Sequence, residues 1–214
     1  MDPGETSSSS DAALSGPRAA SPERARWMVI LAVPVVAYVV GVIALPRPSG
    51  VLAEQRDFDR TALGAALSTT PTTPRLRLDV TLGGAVVVRG ADLPEAALSR
   101  GARLPVKLHL GVTEVVDGDW QLFVHIDAQG GSFRIHGDHW PLRGQYKTGL
   151  WQPGEFLVDT WEGVVPMDAP AGVYDVWVGL YRGDERMPVS STGSSGAKSV
   201  DPDDRVKLGN ITIE

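Results

Sequence analysis

The sequence contains no cysteine. That excludes a disulfide scaffold, a thiolate zinc site, an iron–sulfur cluster and a cysteine nucleophile. Lysine is scarce, with four against sixteen arginines, and the formal net charge is −6. No Lys/Arg block occurs, so the cationic face of a general nucleic-acid binder is missing and no nucleic-acid partner is expected. The common catalytic signatures are missing as well. There is no Gly-x-Ser-x-Gly elbow, no Gly-x-Gly-x-x-Gly after a strand, no Walker-type loop and no His-Glu-x-x-His helix. On these grounds no catalytic activity and no cofactor are expected.

What is present is unevenly spread. The mean hydropathy of −0.05 is that of an average soluble protein, but residues 27–45 read WMVILAVPVVAYVVGVIAL. Seventeen of these 19 residues are hydrophobic and none is charged. As a helix the run spans about 28 Å, the thickness of a bilayer's hydrocarbon core. Trp27 stands at interfacial depth, Arg24 and Arg26 stop the run on one side, and Pro46, Arg47 and Pro48 stop it on the other. A cleavable signal peptide ending near Val42-Ile43-Ala44 is the rival reading. The run is longer than the usual h-region, however, and a 26-residue leader precedes it. We therefore expect an uncleaved anchor in the bilayer. Lys/Arg counts within fifteen residues are equal, three on each side. Arg24 and Arg26 abut the span, which favours a cytosolic N-terminus and an extracytoplasmic C-terminal domain at the inner membrane. Ala37 and Gly41 have small-xxx-small spacing, which is also common filler in such spans.

Four regions follow. Residues 1–26, with a Ser7–Ser10 tract and no aromatic residue, read as a disordered cytosolic tail. Residues 27–45 are the span. Residues 46–74 read as a juxtamembrane linker, with a short helix within 51–67 and an extended Ser/Thr/Pro spacer. From Arg75 to Glu214 the apolar period becomes two. Leu76, Leu78, Val80 and Leu82 alternate with polar residues, as do Val106, Leu108, Leu110 and Val112, and then Trp120, Leu122, Val124 and Ile126. Further strands are expected at 85–89, around Phe133 and Ile135, at 155–165, at 173–181 and from Val206 to Ile213. The phase slip near the end predicts a bulge at Gly209-Asn210. With 24 glycines and 16 prolines supplying turns, the pattern gives eight or nine strands. The expected fold is mainly β, an antiparallel Ig-like sandwich preceded by one transmembrane helix, with a barrel as the alternative.

The runs WQLFVH (120–125), GLWQPGE (149–155) with Asp159, PAGVYDVWVGLY (170–181) and RMPV (186–189) carry a resemblance. Residues 76–214 resemble the bacterial Ig-like modules that follow the membrane helices of large glycosyltransferases of the mannosyltransferase type. The resemblance implies a non-catalytic accessory or binding domain. The chain has one apolar span and no multi-helix transferase portion, so it implies no transferase activity. Read physically, Pro170-Ala-Gly172 closes a turn ahead of a strand, Tyr174 is placed for a tyrosine corner, and Trp151 caps the sandwich edge.

Two sets of residues are candidates for binding. His136, Asp138 and His139 offer three ligands in four residues, with Asp159 as a further carboxylate. They would serve a zinc-dependent envelope hydrolase, or else hydrogen-bond as an ordinary loop. Trp140, Tyr146, Trp151 and Trp161 cluster beside polar loops and would suit a glycan if exposed, or else cap the core. Asp201-Pro-Asp-Asp204 lacks the glycine and distal glutamate of a calcium loop. Asn210-Ile-Thr212 is a formal sequon within a strand. The leading expectation is a membrane-anchored accessory or binding protein of the cell envelope, with an envelope protein or glycan as its partner.

Overall fold

A computed structural model describes residues 58–193 and 199–214. The expected cytosolic tail, the apolar run 27–45 and the first part of the linker lie outside the described residues. Among the described residues no helix is long and apolar enough to cross a membrane.

The described chain forms two antiparallel sheets. Its strands are β1 (Leu67–Ser68), β2 (Leu76–Leu82), β3 (Val86–Asp92), β4 (Arg103–Val112), β5 (Gln121–Ala128), β6 (Arg134–His136), β7 (Phe156–Val164), β8 (Gly172–Arg182), β9 (Glu185–Arg186), β10 (Val189–Thr192) and β11 (Val206–Ile213). One sheet has the order β1-β7-β4-β3-β2-β10, the other β11-β8-β5-β6, with β9 paired to β8. The chain crosses between sheets from β4 to β5, back at β7, across again at β8, back at β10 and across once more at β11. These crossings make a sandwich and exclude the barrel alternative.

The alternating apolar residues fill the space between the sheets. Val80, Val86, Leu104, Leu110, Leu122, Ile126, Leu157, Val176 and Leu180 are all at most 1% exposed. Their burial as two facing sheets is the main source of stability, because each large aliphatic side chain taken out of water contributes about 1.5–3 kcal/mol. Pro105 lies within β4, where it pairs with Glu162 of β7. Pairing with β3 begins only at Lys107, so the missing N–H breaks no bond on that side. The bulge in β11 falls between Lys207 and Gly209, one residue before the expected position. The short strands β1, β9 and β10 were not anticipated. In β10 three of the four residues are exposed Ser or Thr, so the segment carries no apolar alternation to read.

The sandwich also reaches upstream of Arg75. Residues 60–66 form 3₁₀ turns capped by Asp59, whose carboxylate accepts from the Thr61 N–H. Leu67 and Ser68 then pair with Leu157 and Phe156 of β7. Thr72 meets the buried ring of His109, Oγ1 to Nδ1 at 2.9 Å. Residues 58–72 of the expected linker are thus attached to the folded domain. They read as a spacer because their apolar residues are too few to show a period.

At the entry to β8, Tyr174 is fully buried and its hydroxyl donates to the Pro170 carbonyl at 2.6 Å. This is the expected tyrosine corner, four residues back along the chain. Replacing Tyr174 by Phe keeps the ring and removes the bond. The expected loss is about 1 kcal/mol in urea unfolding, with the fold unchanged; a loss below a few tenths would show that the corner is decorative.

Candidate functional site

Three polar clusters interrupt the apolar pattern, and two of them hold the loops in place. The first surrounds Glu155, which is 6% exposed. Its carboxylate accepts from Arg60 Nε at 2.9 Å, from the Tyr146 hydroxyl at 2.7 Å and from the Gln152 N–H at 2.8 Å. Burial, then Glu155, raises the Tyr146 hydroxyl above its ordinary pKa and keeps it a donor. Phe58 stacks on the Tyr146 ring at 4.8 Å. Trp151 Nε1 donates to the Tyr146 carbonyl at 3.2 Å. Trp151 and Tyr146 have no exposed surface. The expectation of a sugar-binding face built on these two rings is therefore corrected. Both rings are held inward by these bonds, with their apolar area out of water.

The second cluster surrounds Asp159. On β7 it pairs with Leu108 of β4, in the inward row, and it is 2% exposed. Its oxygens accept from the Leu142 N–H at 2.6 Å and face His139 Nε2 at 2.7 Å. His139 Nδ1 lies 2.7 Å from the Gly137 carbonyl. Burial disfavours the charged ring, but the bond and charge of Asp159 outweigh it and hold the His139 pKa above its usual value. Trp161, also on β7, lies against Gly137, where an added Cβ would come within 2.6 Å of the indole. Half-buried Trp161 and His139 thus join the loop after β6 to the opposite sheet. This corrects the expected ligand set: both nitrogens of His139 are occupied, so it does not converge with His136 and Asp138.

The third cluster lies on the outer face of the five-stranded sheet. The inward row of β5 is Leu122, Val124 and Ile126, so Phe123, His125 and Asp127 point outward. His125 pairs with His136 across β5 and β6, with ring centroids 5.1 Å apart. Asp138, two residues beyond, brings Oδ1 to 3.5 Å from His125 Nε2. Ligand atoms of His125, His136 and Asp138 all lie within 4.8 Å of one another. His136 and Asp138 are exposed, but His125 is only 8% exposed. Phe123 packs against it at 4.8 Å, and the Phe123 ring occupies the space that a side chain at Gly179 would need. Burial is the main force lowering the His125 pKa to about 4; Arg134 and His136 add to it and Asp138 opposes it. Sequence reasoning overlooked His125 as a ligand. The signal was there: a histidine in the outward phase, eleven residues before His136.

Charge pairs surround this cluster. Asp127 lies between Arg134 at 2.5 Å and Arg205 at 2.8 Å. Burial would raise its pKa, but these two guanidiniums lower it. Arg205 stands over the Trp177 ring at 4.6 Å, and Lys207 binds Asp175 at 2.9 Å. A cleft of about 260 Å³ opens beside His125, lined by Phe123, Asp138, Tyr181, Asp184, Glu185 and Arg186. Trp140 is the one indole of the expected aromatic set that is well exposed, at 42%. Two carboxylates of the Asp201–Asp204 turn are occupied: Asp201 accepts from the N–H groups of Asp203 and Arg205, and Asp204 from that of Val189 on β10.

No family model matches the chain, and no curated protein matches it. Among solved structures it is similar to a Niemann-Pick type C2 protein from the Japanese carpenter ant, with 11% identity, 68% of this chain and 98% of that chain covered, and a TM-score of 0.33. The architecture above rests on the strand pairing of this chain itself.

Two outcomes follow for the clusters. Arg60→Met leaves the Glu155 charge buried without its cation and should cost about 3 kcal/mol in urea unfolding. Adding Glu155→Gln should restore part of that loss; a double variant no more stable than Arg60→Met would contradict the pairing. The second outcome concerns acid. The folded pKa of His125, about 4, lies below the ordinary 6.5, so the unfolded chain binds the extra proton. Its contribution is complete above pH 6.5 and is lost as pH falls through 4, on the order of 3 kcal/mol in total. His139, with its raised pKa, acts with the opposite sign. The test is the difference in stability-versus-pH slope between wild type and His125→Gln in chelator-containing buffer. The slope between pH 6.5 and 4 should be shallower in the variant, and equal slopes would contradict the burial argument.

Proposed function

We propose that this chain is a non-catalytic binding protein of the cell envelope, anchored by residues 27–45, with its sandwich on the extracytoplasmic side. The observation that carries the binding reading is the contrast between the two faces of the five-stranded sheet. One face is aliphatic and shared with the core. The other holds His125, Asp127, Arg134, Asp175, Trp177 and Arg205, and it ends in an open cleft. A polar, aromatic face of this kind is suited to a polar partner. The anchor rests on the uncharged apolar run and on Arg24 and Arg26 beside it. The resemblance to modules that accompany membrane glycosyltransferases supports an accessory role, and no transfer step is assigned to the chain. A glycan as partner is favoured by the exposed ring of Trp140, two residues beyond Asp138. The hydrolase alternative loses His139, which is committed to Asp159.

Two experiments on the full chain test the proposal. It should remain in the membrane pellet after carbonate washing, and protease added to spheroplasts should digest the sandwich. Recovery in the soluble fraction, or a sandwich protected until lysis, would overturn the anchored topology. A photo-crosslinking residue at Trp140 should capture an envelope component, while the same probe at exposed Arg77 on the six-stranded sheet should not. Equal capture at both positions would refute the face assignment.

A further inference from the structure

We propose that His125, His136 and Asp138 form a binding site for a divalent first-row transition ion of the zinc type. Strand register brings the three groups together. His125 and His136 sit opposite each other in an antiparallel pair, while the flanking main-chain bonds run between Leu122 and His139 and from Gly137 to Val124. The two histidines therefore occupy a non-hydrogen-bonded pair, where facing side chains stand closest. Asp138 follows His136 at the same phase, so all three groups converge on one side of the sheet.

The distances suit an ion. Two ligands held at 2.0–2.1 Å from a tetrahedral centre stand about 3.4 Å apart, and His125 Nε2 and Asp138 Oδ1 are separated by 3.5 Å. One ligand atom from each of the three residues lies within 4.8 Å of the other two, and the exposed ring of His136 is free of the packing that holds His125. Two imidazoles and one carboxylate are the donor set preferred by zinc and its neighbours rather than by calcium or magnesium.

A second observation is the unresolved bonding of His125. The side chain is about nine-tenths buried, and among the described residues Nδ1 has no hydrogen-bond partner. With its proton on Nε2, the ring faces Asp138 at 3.5 Å, too long for a good bond, and leaves the Nδ1 lone pair buried alone. With the proton on Nδ1, the Nε2 lone pair faces a carboxylate oxygen directly. A cation between Nε2 and Oδ1 makes that second arrangement attractive at the two atoms that face each other, while Nδ1 keeps its proton without an acceptor. Arg134 is already paired through two bonds to Asp127, and Arg186, which lines the same cleft, stands over the Phe123 ring at 5.1 Å. The cleft beside His125 and Asp138 leaves room for a fourth ligand from solvent or from a bound molecule. The site does not depend on the anchor or on the identity of the partner.

The test uses the full chain in detergent, with its affinity tag removed and metals stripped by chelator. Titration with Zn²⁺ in a calorimeter should show one ion per chain, and Co²⁺ should give the intense visible absorption of a tetrahedral complex. His136→Gln and Asp138→Asn, both at exposed positions, should keep the unfolding temperature of the metal-free protein and weaken Zn²⁺ binding about a hundred-fold. Imidazole ¹⁵N resonances of His125 and His136 should move on adding Zn²⁺, while those of His139 stay. Absence of stoichiometric uptake overturns the site. So does undiminished uptake in both variants, or a shift at His139 in place of His125.

Discussion

A carboxylate withdrawn from water must meet donors or cations, because an unpaired buried charge costs several kcal/mol. Two such carboxylates, Glu155 and Asp159, sit four residues apart at the start of β7. Much of the loop structure follows from their demands. Glu155 draws in Arg60 from the upstream segment, Tyr146 from the loop before it and Gln152 from its own turn. Asp159 draws in His139 and the main chain at Leu142. Residues 139–155 therefore run between two fixed points on one strand, and the aromatic rings they carry turn inward as a consequence. Leu142 and Arg143 hold positive φ there, a conformation that non-glycine residues adopt only when their surroundings require it.

This explains why some of the molecule could be read from the sequence and some could not. Alternation at Leu76–Leu82 or Leu104–Val112 reports one variable, which side faces the core, and a two-layer sandwich is the direct consequence. Tyr174 was legible because a corner depends only on its own strand and on the turn four residues before it. The misread positions depend on partners distant in the chain. Glu155 stands close to Trp151 and Tyr146 in the sequence, but nothing there announces Arg60, the cation that reaches it from the upstream segment. The spacing of His136, Asp138 and His139 is compact in sequence, but on a strand adjacent residues point to opposite faces. His139 accordingly turns toward Asp159 on the other sheet. Its place beside His136 is taken by His125, across a hairpin. Cross-strand register, not proximity along the chain, decides which side chains meet.

The two outer faces then differ for a reason that bears on function. On the six-stranded sheet, the chain's own upstream segment reaches His109 through Thr72, so part of that surface is satisfied internally. On the five-stranded sheet the polar side chains satisfy one another: Asp127 between two arginines, Asp175 with Lys207, Arg205 over Trp177. Paired charges on a rigid sheet present fixed donors and acceptors, and a partner that matches them does not have to order flexible side chains first. Pairing stops at His125. Packed against Phe123, lacking a partner at Nδ1 among the described residues and facing Asp138 only at 3.5 Å, it leaves its bonding open. The proposed ion, seated between Nε2 and Asp138 Oδ1, would bridge a gap of 3.5 Å that is too long for a good hydrogen bond.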